Sequence, residues 1–558
     1  MQWQKKEKKK RKRKEGQFLT VLKFAQRLMN IENTLTPLKE IWRDYFHIGN
    51  IYRPSFIGEA KGDLLTHHFN VITAENIMKP TYLQPRPGEF FFDLADEMMD
   101  YAKKHSLKVV GHTLLWHEQS FDWIDEENTS KEEAIEILEN HIYQVVGRYV
   151  RRNPGLVMAW DVINEAIDQR TNINPKDWEK HLRDTKWLRL IGPEFLNVAF
   201  HAAHKADPDA MLYYNDYNLN VPLKAQVVAY MIADLREQGV PVTSIGMQGH
   251  YSYHTPMVSA RNSLELFSKI PGIKVSFTEV DITISGFEKE TKLSHEMEIF
   301  QGQLYAQLFQ VIRDYSFMID RVTFWGMDDK SSWRGDRHPN LFRGDLSPKP
   351  AFFAVANPDQ FLLEHPAGEA PEPKRAKAIY GKATVGEFNL ESYTNAPVIP
   401  VNNQMTAWEG ATGETKVLWD EDNLYILASI IDDTPDVSSE TECEQDSIEF
   451  FVSCTNSRGL GYLKGDHHLW VNRKNAHSCY SASSIEGFVS YTKPTECGYQ
   501  VEVKIPISGF GKEGAVLGFD LLINDGHQGM RRSFATWNDH SDTAWQMTLY
   551  WGDLLLER

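Results

Sequence analysis

Between about Pro37 and Pro358 the chain alternates short apolar runs with longer stretches in which apolar residues recur every three or four positions. The short runs are His47–Tyr52, Phe69–Thr73, Lys108–Leu114, Val157–Ile163, Met211–Asn215, Ser244–Gln248, Lys274–Thr278 and Arg321–Trp325. Most are apolar on consecutive positions, the pattern of parallel strands buried on both faces. The stretches between them, such as Phe90–His105, Lys131–Arg151, Leu223–Gln238 and His295–Asp314, interleave charges with apolar positions and predict amphipathic helices. Eight strand–helix units in about 320 residues predict an α/β fold of the (β/α)8 barrel type. A doubly wound open sheet is the alternative, but no Gly-x-Gly-x-x-Gly turn follows the first strand.

Beyond Pro358 the texture changes. Glu364 to Pro373 is rich in proline and charge without periodicity, which predicts a semi-extended linker over 361–375. From Ala376 to Arg558, the alternating runs Glu414–Trp419, Leu424–Ile431, Ser447–Val452, Tyr499–Ile505 and Val516–Ile523 are split by Gly, Asn, Asp and Pro. That pattern predicts an all-β sandwich. The chain therefore reads as multi-domain: a basic tail over 1–28, a barrel over 29–360, the linker, and a sandwich over 376–558. In the tail, the apolar run Phe18–Leu22 is followed by Lys23, Gln26 and Arg27 and by no small-residue cleavage site, so it is not read as a signal peptide. The expectation is a cytoplasmic protein, or a secreted one if this N-terminus is not the native one, with Met29 as the suspected start.

The formal charge of −17 is unevenly spread. Lys5–Lys14 carries nine basic residues and one acidic one, a net of +8, so the remainder carries −25. A body that acidic repels phosphate backbones, which argues against nucleic acid as a partner. No apolar run approaches the roughly 18 residues that span a bilayer, so no membrane partner is expected. Aromatic residues reach 12% with 15 Trp, an excess that suits stacking on flat ligands such as sugars. The four cysteines, Cys443, Cys454, Cys479 and Cys497, show no C-x-x-C spacing; they fit small buried thiols, or one or two disulfides if the protein is exported.

In a barrel of this type the reactive groups leave the C-terminal ends of the strands. There the sequence offers Glu75, Asn76 and Lys79 after the second strand, and His112, Trp116, His117 and Gln119 after the third. Asn164-Glu165 ends the fourth and Asn215-Asp216 the fifth; Gln248 and His250 follow the sixth, Glu279 and Asp281 the seventh, and Trp325, Asp328 and Trp333 the eighth. Carboxylates, amides, imidazoles and indoles converging on one rim suit a neutral polyhydroxylated ligand.

These residues also carry a resemblance. Trp160-Asp161-Val162-Ile163-Asn164-Glu165-Ala166 resembles the acid/base motif of glycoside hydrolase family 10, the retaining xylanases, and Thr278-Glu279-Val280-Asp281 is similar to its nucleophile motif. Gly111 through His117, Gln248-Gly249-His250, Phe324-Trp325-Gly326 and Phe69 through Lys79 fit it too. The resemblance implies an endo-β-1,4-xylanase acting on xylan or xylo-oligosaccharides, with Glu165 as acid/base, Glu279 as nucleophile, and carboxyl groups about 5–5.5 Å apart. Glu165 must then hold its proton near neutral pH, which a charged Glu279 nearby favours; His250 would donate to Glu279, with Asp281 orienting the imidazole from behind. Asn164 is suited to the 2-hydroxyl of the sugar being cleaved. The resemblance places Lys79, His112, Trp116, Gln248 and Trp325 at the scissile sugar and Glu75, Asn76 and Trp333 at the next one outward, with Gln119 also among the substrate-binding residues. Pro80 and Phe121 depart from the family pattern on that outer rim. No cofactor is required and no metal is expected at this site. The alternatives are a related β-glycan hydrolase for short oligosaccharides, or a non-catalytic glycan-binding protein on a hydrolase barrel.

The C-terminal region resembles carbohydrate-binding module family 9 through Val417–Tyr425, Glu444–Glu449 and Gly518–Asp525. The resemblance implies a sugar clamped between two Trp faces. Trp545 matches one clamp position, Cys443 stands at the other, and Trp470 and Glu449 join the candidate sugar-binding residues. The clamp is either rebuilt around Trp470 or lost. Asp432, Asp433 and Asp446 offer carboxylates for structural calcium, with a solvated acidic face as the competing reading.

Overall fold

The computed structural model describes residues 35–558 apart from 169–173, 254, 285–292, 367–371, 406–409, 457, 460, 461, 464, 481–485, 508, 540–542 and 546. The expected basic tail and the Met29 start lie outside the described residues.

Eight parallel strands close into a barrel. They are β1 (His47–Tyr52), β2 (Val71–Ala74), β3 (Lys108–Leu115), β4 (Val157–Asn164), β5 (Met211–Asp216), β6 (Ser244–Met247), β8 (Lys274–Thr283) and β9 (Ile319–Phe324), with β9 returning to β1. A short strand β7 (His250–Ser252) lies between β6 and β8 in sequence and pairs with the far end of β8. Helices at Asp93–Lys104, Lys131–Arg152, Pro222–Glu237 and His295–Asp314 fall on the expected ranges. In Lys131–Arg152 the buried positions Ala134, Leu138, Ile142, Val145, Val146 and Tyr149 recur every three or four residues, and Ser130 with Glu133 closes a capping box at its start.

The barrel interior is layered. Val71, Val110, Ala159 and Tyr213 form an apolar floor. Two residues further along their strands, His112 and Asp161 meet at 2.9 Å, and Asp161 lies 3.4 Å from the guanidinium of Arg321. Arg321 is fully buried, so its charge requires this partner, and it also sits 4.8 Å from the Tyr213 ring centre. Gly111 has no room for a side chain, because a Cβ there would lie 2.1 Å from the Trp160 indole.

The expected linker begins later than 361. Pro358–Glu364 is a helix with Pro358 in its first turn and Asn357 capping Gln360, and Phe361 fills the space over Gly302. Pro80 and Phe121 are also corrected: both are buried rather than on the cleft rim. Pro80 starts the short helix Pro80–Leu83, and the Phe121 ring packs edge-on against Trp123, His141 and Trp187.

From Arg375 onward the described residues form thirteen hydrogen-bonded strands, ten of them along one continuous path, with Ile399–Val401, Asn403–Gln404 and Met530–Thr536 attached beside it. Ile448, Phe450 and Val452 of Ser447–Ser453 share one core with Leu424, Ile426 and Ala428 of Asn423–Ile431, so the path folds back into two layers facing each other. Strand Arg375–Tyr380 links the two parts of the path edge to edge, pairing in parallel with both Gly552–Glu557 and Thr412–Trp419. Cys443, Cys454, Cys479 and Cys497 are not joined in disulfides. Among the described residues no helix is long and apolar enough to cross a membrane.

Candidate active site

The C-terminal ends of the barrel strands open into a cleft of about 1070 Å³. Its floor is built by strand register. Parallel pairing sets Asn164 beside Asn215 at the ends of β4 and β5, and His250 of β7 beside Asp281 of β8. Glu279, two residues before Asp281, projects to the same side of β8.

Glu165 follows β4 directly. Its Oε2 accepts from Trp116 Nε1 at 2.9 Å, and its Oε1 accepts from Gln248 Nε2 at 2.8 Å and Asn164 Nδ2 at 3.2 Å. Glu279 accepts from Asn215 Nδ2 at 2.8 Å and lies 3.2 Å from His250 Nε2. Asn215 also donates to Asn164 Oδ1 at 2.9 Å and accepts from Thr278 Oγ1 at 2.6 Å. Gln248 closes the circuit, since its side chain meets Glu165 while its carbonyl accepts from Glu279 N at 2.7 Å. The two glutamates thus belong to one amide-linked network.

The surroundings of Glu279 favour its charged form. Burial alone would push the Glu279 carboxyl up, but the His250 hydrogen bond, the positive potential from His112 and His250, and the Asn215 bond outweigh it and hold it below the ordinary glutamate value. Burial likewise opposes a charge on His250; the adjacent Asp281 and the bond to Glu279 prevail and push the imidazole up to about 9. His250 Nδ1 stands 3.0 Å from Asp281 Oδ2. Asp281 is buried and accepts from Arg334 Nη1 at 2.6 Å and Trp333 Nε1 at 3.1 Å; His250 and then Arg334 hold its carboxyl low against its burial.

Lys79 donates to Asn76 at 2.9 Å and Gln119 at 2.7 Å, and its ammonium sits 4.8 Å from the Trp116 ring centre. Burial lowers its pKa, against the opposing pull of Glu279, Glu75 and Glu165. Glu75 is paired with Arg53. The edge of the His112 ring faces Trp325 with centroids 5.2 Å apart, and Trp333 stands 5.0 Å from the His250 ring with its outer face open to solvent.

Glu75, Asn76, Lys79, His112, Trp116, Asn164, Glu165, Gln248, His250, Glu279, Trp325 and Trp333 all line this cleft. Gln119 and Asp281 stand behind it, acting through Lys79 and His250. Glu118, Tyr217, Asn218, Lys330, Arg334 and Arg337 line it too and were not expected. Tyr217 and Asn218 lie two and three residues past Asn215, so a longer reach beyond each strand end finds them. Arg53 and Arg334 leave no sequence signal, because only folding brings each to its carboxylate.

In the C-terminal domain Trp545 keeps a partly open ring, whereas Trp470 is buried and offers no face for stacking. Along Asp466–Asn472, Leu469 and Val471 face the shared core, and Trp470 lies on the other face between Glu449 and Ser478. Glu449 is buried, paired with His468 and accepting from Asn524 at 2.7 Å. Among the described residues the acidic cluster that could hold a cation is Asp432, Asp446 and Asp525, so Asp525 takes the place expected for Asp433. Their oxygens lie within 4.8 Å of one another, a donor set of the hard type calcium prefers. Burial and the adjacent Asp432 push the Asp446 carboxyl up, while Arg473 and Arg532 already neutralise part of the cluster.

Residues 37–358 match the family described as "Glycosyl hydrolase family 10", and residues 386–558 the "Carbohydrate family 9 binding domain-like" family. The chain is 32% identical over 97% of its length to endo-1,4-beta-xylanase A of Thermoanaerobacterium saccharolyticum, covering 45% of that protein. It is 31% identical, again over 97%, to exoglucanase XynX of Acetivibrio thermocellus, covering 48% of it. The chain thus spans about half the length of these curated relatives. Among solved structures, TsXylA, the intracellular xylanase of Thermoanaerobacterium saccharolyticum, superposes with a TM-score of 0.54 at 36% identity, covering 58% of this chain and 99% of that one.

Proposed function

This chain belongs to glycosyl hydrolase family 10, and from that premise we propose that it hydrolyses internal β-1,4-xylosidic bonds of xylan or xylo-oligosaccharides with retention of anomeric configuration. The carrying observation is the pair of glutamates in one amide-linked network, Glu279 beside the His250 imidazole and Glu165 held by the uncharged donors Trp116, Gln248 and Asn164. Glu279, ionised by His250 and Asn215, attacks the anomeric carbon while Glu165 passes its proton to the departing glycosidic oxygen. Glu165, now a carboxylate, then takes a proton from water as the water oxygen attacks the same carbon and releases Glu279. Asn164 and Lys79 supply donors for ring hydroxyls, and the open Trp333 face supports the neighbouring sugar.

Glu279→Ala should abolish turnover, and azide should restore product formation with inverted configuration from an activated aryl xylobioside. Glu165→Ala should spare cleavage of leaving groups that need no proton, such as dinitrophenolate, and lose it on xylan by about 10²- to 10⁴-fold. Loss on both substrate types in a folded Glu165→Ala protein would remove its assignment. An aryl cellobioside belongs in the same assay, because one relative bears the name exoglucanase. For the C-terminal domain we propose sugar contact through Trp545 and calcium held by Asp432, Asp446 and Asp525.

A further inference from the structure

Directly behind Glu165 the chain is clamped by a second segment. Residues 166–168 run antiparallel to 181–183: Ile167 bridges to Leu182, Arg183 N donates to Ala166 O at 2.8 Å, and Asp168 N donates to His181 O at 2.7 Å. Arg183 adds its side chain to this clamp. Its Nε donates to the carbonyl of Glu165 at 3.1 Å, and its Nη2 to the hydroxyl of Tyr217 at 2.9 Å. On the other side, Glu165 N donates to Asn215 O at 2.8 Å. Both peptide groups of Glu165 are therefore tied, and between them φ is +59°, the left-handed region that a residue with a Cβ adopts when its surroundings enforce it.

Tyr217 is itself anchored. The Lys224 ammonium sits 3.6 Å from its ring centre and is held by Asp216 at 2.6 Å, and the Tyr217 amide donates to the same carboxylate at 2.8 Å. Asp216 also accepts from Tyr214, whose hydroxyl receives Ile167 N at 3.0 Å. One guanidinium thus joins the main chain of Glu165 to a fixed residue of the cleft wall. The donors on the carboxyl group, Trp116, Gln248 and Asn164, orient its head but do not fix where its Cα stands. Proton transfer to a glycosidic oxygen needs an oxygen–oxygen approach of about 2.6–3.2 Å, and a displacement of about 1 Å costs on the order of 10²-fold.

We propose that Arg183 is a positioning residue for the proton donor, holding the left-handed main chain of Glu165 through its carbonyl and registering it against Tyr217. This rests on the acid/base reading of Glu165 given above. Arg183 acts on proton transfer alone, so its removal mimics a partial loss of Glu165 and leaves the attack by Glu279 intact.

Arg183→Met keeps the aliphatic stem and removes the donors; Arg183→Lys keeps the charge and one donating group. The full chain is assayed on xylan and on aryl β-xylobiosides of graded leaving-group acidity. In Arg183→Met, kcat/KM should fall about 10- to 100-fold for xylan and for poor leaving groups, and stay within about two-fold for dinitrophenolate. On the dinitrophenyl substrate kcat should fall, because hydrolysis of the glycosyl-enzyme uses the same carboxylate as base. Azide needs no base and should restore that rate. Arg183→Lys should lie between Arg183→Met and wild type. A loss equal for every leaving group, or no loss in either variant, would overturn the inference while leaving the proposed function standing. Failure of the wild-type chain to cleave any of these glycosides would overturn both.

Discussion

At neutral pH His250 stands as an imidazolium between Glu279 and Asp281, because the two carboxylates overcome the cost of burying its charge. A histidine whose folded value rises from 6.5 to about 9 contributes stability that is complete below 6.5 and is lost as pH climbs through 9. Glu279 and Asp281 are held low, so their contribution is present at neutral pH and is lost as pH falls through the carboxylate range. The melting-temperature gap between wild type and His250→Gln should therefore be widest between the carboxylate range and pH 6.5, and narrow both in acid, as Glu279 and Asp281 take up protons, and as pH passes about 9. A gap that stays constant from pH 6 to 10, in scanning fluorimetry at fixed salt, would mean that His250 is neutral in the folded protein. The same residue sets an alkaline limit on catalysis: with a leaving group that needs no proton, kcat/KM should decline only near pH 9, as Glu279 loses its charged donor.

Among the elements, barrel strands such as Val157–Asn164 were legible because parallel strands buried on both faces tend to be apolar on consecutive positions, whereas Lys274–Thr283 alternates polar with apolar residues and only its first half, Lys274–Thr278, was read as a strand. Strand β7 was not, since His250–Ser252 has no pattern of its own and exists by pairing with an unusually long β8. The polar residues at strand ends were legible for the same reason as the strands. Arg53, Arg183 and Arg334 were hidden among 60 basic residues, because each acquires its role from a partner far along the chain. Whether Trp470 offers a face was not legible, because alternation along a strand shows which side an aromatic residue takes, not how deeply that side is buried. Register also imposes a glycine. A Cβ on Gly246 in β6 would lie 2.3 Å from the Asn215 amide oxygen, so Gly246→Ala must displace the side chain that bonds both Asn164 and Glu279. Losing a hydrogen bond to a charged group costs about 1.5–3 kcal/mol, which on kcat/KM is roughly a 10- to 150-fold fall. The variant should remain folded, since the obstructing atom is the end of a side chain. Near-normal turnover would show that Asn215 is dispensable for holding Glu279.

At the scale of the molecule, the barrel core, which runs from Leu38 to Phe361, shares no residue with the sandwich core, which runs from Ala376 to Leu556. Two independent cores imply two cooperative units, each responding only to what binds it. Calorimetry of the inactive Glu279→Ala protein should accordingly show two transitions. Xylotetraose at about 100-fold its dissociation constant adds about 2.7 kcal/mol to the unit that holds it, and the barrel transition should move up accordingly. Calcium after chelation should move the sandwich transition alone, through Asp432, Asp446 and Asp525; if it moves neither, Arg473 and Arg532 suffice to neutralise the cluster. The sandwich should respond to xylotetraose weakly, because Trp470 is buried and Trp545 alone keeps a partly open ring among the three clamp candidates, and Trp545→Ala should remove that response. A second transition indifferent to the sugar in wild type and Trp545→Ala alike would leave the domain no sugar-binding role, and a single transition shifted by both ligands would mean that the two cores unfold as one.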